Sequence, residues 1–264
     1  MKAACFSVAA MDYYPQLKTT YPGGNSLNQS IRFRQMGYES AFVGAIGNDE
    51  NGDRIMTLMQ ERDVDASHLL RLEGKTASNQ LVVDELGERL GLEGAWDGGV
   101  YEEYLLSEKQ WGYIADFDIW ATHANGCNYQ QALKRKQAHQ FMAVDFLHLT
   151  DYELLKQSLK TIDVAYFGGT PDLADILAQI AQTHPGVIIL TLGALGSIAF
   201  QGNITYTQSA LPIEKVVDTT GCGDAFQAGF TSSYYEKKDI PSALLAGAKL
   251  GRVAASQYGG THWG

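Results

Sequence analysis

The chain has 264 residues, 45% of them hydrophobic, with 28 glycines and a formal net charge of −10. That length supplies one sizeable core, enough for a single α/β domain. The negative charge speaks against nucleic acid or an anionic membrane as the main partner, and no apolar run approaches the roughly 20 residues of a membrane span.

The N-terminal run Met1–Val8 lacks the length and flanks of a signal peptide, and Ala3–Val8 reads as a first strand. Tyr13–Pro22 is extended and aromatic. A helical period follows over Asn25–Met36, then a strand over Ala41–Ile46 and a helix over Asn51–Arg62. From Thr76 to about Gly94 the rhythm changes to alternation, with Glu85-Leu86-Gly87-Glu88 as a turn. That pattern reads as a β-hairpin with one exposed face, able to pair with Tyr13–Pro22. Helices over Ser107–Ala115, Tyr129–Gln137, Asp151–Leu159 and Pro171–Thr183 then alternate with strands over Asp118–Ala121, Met142–Phe146, Val164–Phe167 and Val187–Leu192. Short apolar strands of this kind suit a buried parallel sheet, and Pro171 stands where a helix tolerates proline.

The alternation predicts an α/β fold, a doubly wound and mostly parallel sheet flanked by helices on both faces. Ligands in such sheets sit at the C-terminal strand ends. The excursion over 13–22 and 76–94 predicts a small β lid on one domain spanning 1–264. An exposed lid edge would support a homodimer. Cys5, Cys127 and Cys222 are scattered, with no CxxC, which points to a reducing cytoplasm rather than to a disulfide scaffold or a zinc site.

Three stretches carry candidate chemistry. In Tyr21-Pro22-Gly23-Gly24-Asn25-Ser26-Leu27-Asn28, two glycines admit a ligand to the backbone, and two asparagines stand at i and i+3 near a helix start. The stretch suits a polyhydroxylated ligand, or is an N-capped helix after a glycine turn. Thr191-Leu192-Gly193-Ala194-Leu195-Gly196-Ser197 is either a hairpin turn into Ile198-Ala199-Phe200 or a nucleotide-contacting loop.

The third stretch is Asp218-Thr219-Thr220-Gly221-Cys222-Gly223-Asp224-Ala225-Phe226. A strand candidate with Ile213, Val216 and Val217 runs into a glycine turn that opens a helix. Free N–H groups at a helix start bind anions. The carboxylate of Asp224 in the same turn would repel a plain phosphate. A site that steadies phosphoryl oxygens and also takes a proton from a hydroxyl needs both groups. Two other motifs fail. Gly74-Lys75-Thr76 lacks the first glycine of a P-loop and the strand before it, and Gly221-x-Gly223 is followed by Phe226 where a dinucleotide fingerprint needs a small residue.

Together these stretches resemble the ribokinase (PfkB-type) family of carbohydrate and nucleoside kinases. The N-terminal pattern stands here as Gly23-Gly24-x-x-x-Asn28-x-Ser30 with Gly37 and Gly47. The C-terminal pattern stands as Asp218-Thr219-x-Gly221-x-Gly223-Asp224, closing with Ala228-Gly229-Phe230. Within the family, Asp12-Tyr13-Tyr14-Pro15-Gln16-Leu17 leading to Gly23-Gly24-Asn25 is most similar to the fructoselysine 6-kinases, which act on sugar–amino-acid adducts.

The resemblance implies ATP and Mg²⁺, with a sugar or sugar-amine as acceptor. It implies Asp224 as general base and the amides of Gly221, Cys222 and Gly223 as the anion hole. Asp12, Gly23, Gly24, Asn25 and Asn28 would hold the sugar. Thr191, Gly193, Gly196 and Thr219 would border ATP, with the helix Pro241–Gln257 beside the adenine. Arg89 in the lid would pair with a substrate carboxylate, or be a solvated hairpin charge. Cys222 is either a reactive thiol at a helix start or a small filler. No Asn-x-x-Glu follows Val164–Phe167, where Gly168-Gly169-Thr170-Pro171-Asp172 stands instead, so no metal ligand is assigned. Ribose, fructose, sugar-phosphate or nucleoside kinases are same-family alternatives, and a non-catalytic sugar- or nucleotide-binding protein is the alternative of another class.

Overall fold

The computed structural model describes residues 1–148 and 151–261. The chain opens with β1 (Lys2–Cys5), then leaves the main sheet for a hairpin of β2 (Ala10–Tyr14) and β3 (Thr19–Gly23). α1 (Asn25–Gln35) leads back to β4 (Glu39–Phe42), parallel to β1. β5 (Gly44–Gly47), α2 (Glu50–Glu61) and β6 (Leu69–Leu72) follow, then a second hairpin of β7 (Ser78–Val83) and β8 (Arg89–Gly91). After it come α3 (Glu108–Ile114), β9 (Ile119–His123), α4 (Tyr129–Arg135), β10 (Phe141–Asp145) and α5 (Tyr152–Ser158). β11 (Val164–Gly168), α6 (Ala174–Ala181) and β12 (Val187–Thr191) continue the alternation. β13 (Ser197–Gln201), β14 (Ile204–Gln208), α7 (Cys222–Lys237) and α8 (Ile240–Ala254) complete the fold.

The main sheet has the order β14-β13-β12-β11-β10-β9-β1-β4, parallel from β4 to β12 with an antiparallel edge. Both faces are covered, which explains why its strands read as unbroken apolar runs. On one face, Trp111, Tyr129, Leu155 and Leu177 from α3 to α6 pack on Trp120, Val144 and Leu190. On the other, Phe33, Phe230 and Leu244 from α1, α7 and α8 pack on Ile119, Tyr166 and Ile189. The chain winds from β1 out to β4, then crosses back to β9 on the other side of β1. The winding therefore reverses between β1 and β9, and an open α/β sheet forms its crevice at that point.

A four-stranded sheet of order β3-β2-β7-β8 stands beyond the strand ends. β2 pairs antiparallel with β3 and parallel with β7, so the two excursions do meet. Asp84 shapes the β7–β8 turn, its Oδ1 accepting from the amides of Leu86 at 2.8 Å and Glu88 at 2.9 Å.

Three elements differ from the sequence reading. The run Ala41–Ile46 is not one strand: Phe42 pairs with Cys5 in the main sheet, while Gly44 pairs with Leu69 in a separate β5–β6 pair. The helix expected from Pro171 begins as a 3₁₀ turn, Pro171–Leu173, before α6. No strand precedes the late glycine turn. There Val217 N–H donates to Ala255 C=O at 2.8 Å and Thr219 N–H to Gly87 C=O at 2.9 Å. Those amides are satisfied by the end of α8 and by the hairpin, which leaves no ladder to form a strand.

Candidate active site

Gly221, the residue before α7, has a left-handed φ of 75°. A Cβ there would lie 2.6 Å from Gly260 Cα, so both the dihedral and the space require glycine. Buried Asp218 anchors the approach to this turn. Its carboxylate accepts from Tyr14 Oη at 2.7 Å, Thr220 N–H at 2.8 Å and Gly259 N–H at 2.8 Å. The turn then delivers Asp224 into the first turn of α7, facing the first turn of α1.

The i, i+3 spacing puts Asn25 and Asn28 on one face of α1. Asn25 Nδ2 donates to Asp224 Oδ1 at 2.8 Å and to Asp145 Oδ2 at 3.0 Å. Asn28 Nδ2 donates to Asp224 Oδ2 at 2.5 Å. Gln29 Nε2, one position on, donates to Gln227 Oε1 at 2.7 Å and ties the two helices together. Asp224 thus forms part of the floor of a cavity of about 420 Å³, beside Val8 after β1 and His123 at the end of β9. These are the strand ends at the winding reversal.

Burial and the nearby charge of Asp145 push the Asp224 carboxyl up to about 7, against the pull of the two asparagine donors and Arg89. A carboxylate poised there suits proton abstraction near neutral pH.

Asp12 on β2, Gly24, Asn79 and Arg89 also line this cavity. Gly23 is cross-strand to Ala10, and a Cβ on it would collide with the Asp12 carboxylate. Burial raises the Asp12 carboxyl to about 6; the Arg89 charge opposes the rise and Asp218 adds to it. Arg89 therefore acts electrostatically on both Asp12 and Asp224. It lines the same cavity as both carboxylates, where it could meet a substrate carboxylate, as the sequence suggested, as well as being a charge on the exposed hairpin.

A second cavity, of about 540 Å³, lies on the far side of the glycine turn. Thr191, Gly193 and Gly196 of the β12–β13 turn line it, as do Thr219, Cys222 and Gly223. Pro212, Val216, Phe226, Ala248 and Gly251 make its apolar wall. The segment Thr191–Ser197 is thus both a hairpin turn and a cavity wall. Gly221 and Asp224 face the first cavity, so the turn is the partition between the two.

Among the described residues the amides of Gly221 and Gly223 have no backbone acceptor, as expected at a helix start. The Cys222 amide differs, donating to Thr219 C=O at 3.1 Å, so it is not free to join an anion hole in this conformation. Burial, with the charges of Asp218 and Asp224, pushes the Cys222 thiol up to about 12, which favours the small-filler reading over the reactive thiol.

The β7–β8 hairpin reaches both cavities with consecutive residues, Glu88 into the second and Arg89 into the first. It is pinned to the partition: Arg89 N–H donates to Thr219 Oγ1 at 2.9 Å, and Thr219 Oγ1 donates to Glu88 Oε2 at 3.3 Å.

Sequence reasoning missed Asp145, a carboxylate closing an otherwise apolar strand, which is where strand-end sites occur. It also missed a buried cluster in which Ser7 Oγ meets Tyr101 Oη at 2.9 Å and His123 Nε2. Burial holds the His123 ring down to about 4, so this wall is neutral. Trp96, Glu102 and Asn125 also line the cavity. Among the described residues no group of three or more His, Cys, Asp or Glu side chains could hold a metal ion, and no helix is long and apolar enough to cross a membrane.

The model of the pfkB family carbohydrate kinases matches residues 12–263. The chain belongs to that family. It is 26% identical over 270 residues to a fructosamine kinase of Bacillus subtilis, covering 100% of this chain and 94% of that one. It is 28% identical over 253 residues to a fructoselysine 6-kinase of Escherichia coli, covering 94% and 95%. In fold it matches the Arabidopsis thaliana ribokinase solved with ribose and ATP, with a TM-score of 0.80 at 20% identity over 98% of this chain and 93% of that one. This pfkB kinase is therefore a sugar phosphotransferase with a ribokinase-like fold.

Proposed function

We propose that this kinase transfers the terminal phosphoryl group of ATP to the primary hydroxyl on C6 of a fructosamine, with fructoselysine as the model acceptor. The observation that carries the reading is the placement of Asp224. It is held by Asn25 and Asn28 in the floor of one cavity and begins the helix whose glycine turn walls the other. The two relatives named for fructosamine chemistry, matched along nearly the whole chain, support the acceptor class.

In this reading Asp224 takes the proton of the acceptor hydroxyl as its oxygen attacks the phosphorus. The N–H groups of Gly221 and Gly223, with the positive end of α7, bind the transferred oxygens. Asp12, Asn25 and Asn28 orient the sugar, with Gly23 and Gly24 admitting it. Arg89 lowers the negative charge that two carboxylates bring to the reacting end. Thr191, Gly193, Gly196 and Thr219 border the nucleotide in the second cavity, whose apolar wall suits a purine. Phosphoryl transfer asks for this positioning and charge neutralisation more than for covalent help.

A magnesium ion would be carried on phosphate oxygens and its own waters, as magnesium seldom needs a protein cage; among the described residues no side-chain cluster would compete for it. It would add neutralising charge. The three free cysteines accord with a reducing cytoplasm. The exposed lid strands accord with a homodimer, which gel filtration would test.

The test of function is ADP release, measured over a panel of fructosamines, fructose, other hexoses, pentoses and nucleosides. Fructosamines should give the highest kcat/KM. A nucleoside or pentose leading the panel would overturn the acceptor, and sugar-independent ADP release alone would overturn the transfer.

A further inference from the structure

The acceptor cavity has a second polar region that the transfer chemistry leaves unused. Beyond the Ser7–Tyr101–His123 cluster its wall is formed by Trp96 and Glu102. Glu102 directly follows the 3₁₀ turn Gly99–Tyr101. The Trp96 indole N–H donates to Glu102 Oε2 at 3.2 Å, which steadies the carboxylate beside the ring. Any side chain at Gly98 would collide with that carboxylate, so the local backbone leaves room for it. The nearby cation Lys75 is 3.9 Å from Asp97. Among the described residues Glu102 itself has no ion-pair partner.

Asp224 and Glu102 stand on different elements of the cavity wall. Asp224 lies in the first turn of α7, bonded to Asn25 and Asn28. Glu102 follows the 3₁₀ turn and is bonded to Trp96. One cavity is thus lined by both Asp224 and an unpaired carboxylate beside an indole.

We propose that Glu102 and Trp96 form the subsite for the ammonium group of an amine-bearing ketose, the carboxylate pairing with the charge and the indole ring covering it. This rests on the fructosamine reading above and names the groups that would enforce it. In a 1-amino-1-deoxyketohexose the amine is on C1 and the primary hydroxyl on C6, at opposite ends of the sugar. With the C6 hydroxyl at Asp224, C1 is directed away from α7. A carboxylate and an aromatic face are two groups that recognise an alkylammonium ion. Fructose carries a neutral hydroxyl at C1 and gains nothing from them. Glu102 and Trp96 therefore set the preference for the amine without taking part in the transfer.

The test compares 1-amino-1-deoxyfructose with fructose on the wild-type enzyme, Glu102→Gln and Trp96→Leu. Binding is read by calorimetry and kcat/KM by ADP release. Glu102→Gln should weaken the amino sugar about tenfold or more, the usual effect of losing a charged partner, and leave fructose within about twofold. Trp96→Leu should act in the same direction by a few-fold. If the wild type prefers the amino sugar and Glu102→Gln keeps that preference, the subsite is wrong and the fructosamine reading stands. Equal losses on both sugars would likewise reduce Glu102 to a structural residue. A wild type that handles fructose as well as the amino sugar would overturn both.

Discussion

The floor and the rim of the acceptor cavity are built from different material. The floor is made by the first turns of two helices, where Asn25, Asn28 and Asp224 hold one another at 2.5–2.8 Å. The rim is made by a hairpin and loops, where Arg89 and Glu102 are exposed and Trp96 is 45% accessible. Helix starts are stiff, and each is tied to the main core. Hairpin strands and loops carry their side chains into solvent and can change without disturbing that core. Under the proposed function, transfer belongs to the floor and choice of acceptor to the rim.

Substitutions in the floor should abolish turnover while sparing acceptor choice. The largest effect is expected for Asp224→Ala, which removes the proposed base and should cost about 10²-fold or more in kcat. Sugar binding by calorimetry should persist. Gly221→Val comes next, because its Cβ would meet Gly260 and Asn28 in a left-handed turn. It should cut kcat with a smaller loss of fold, read by thermal melting.

Arg89→Ala belongs to the rim yet reaches the floor by charge, so it tests the boundary. It should lower kcat by roughly tenfold, the size of one lost charge partner, with unchanged discrimination between an adduct and its free sugar. A changed discrimination with unaltered kcat would instead make Arg89 the partner of a substrate carboxylate.

Asp224 should also trade stability for function. Its carboxyl is held above the ordinary range, at about 7. Its contribution to stability is therefore fully present below about pH 4 and lost as the pH rises through about 7. Asp224→Asn should raise Tm at pH 8 by at least about 2 °C, and by less at pH 5. The smallest effect is expected for Arg135→Ala. The exposed Arg135–Glu108 pair, 2.5 Å apart, lies outside both cavities. Its loss should cost less than about 1 kcal/mol and leave kcat unchanged.

The same contrast governs what the sequence made legible. Asn25, Asn28 and Asp224 stood out because helix starts advertise themselves through glycines and short fixed spacings. The parallel sheet was legible because apolar runs alternate with helical periods. Asp145 was not, since its partner Asn25 lies far away in sequence and no spacing connects them. Glu102 and Trp96 carry no pattern at all, and only the folded cavity brings them together. The segment around Val216 misled because an apolar run does not report pairing. Val216 is half-buried against Gly87 of the hairpin, while the adjacent amides go to α8 and that same hairpin.

The most direct test of the floor is the pH dependence of kcat/KM for the sugar, wild type against Asn28→Ala, at saturating nucleotide. The nucleotide titrates alike in both assays, so any displacement between the curves belongs to the protein. The wild-type activity should fall away below about pH 7. Asn28 stabilises the ionised Asp224, so its removal should move that fall to higher pH. Superimposed curves, or a fall at the pH of an ordinary carboxylate, would contradict the arrangement described here.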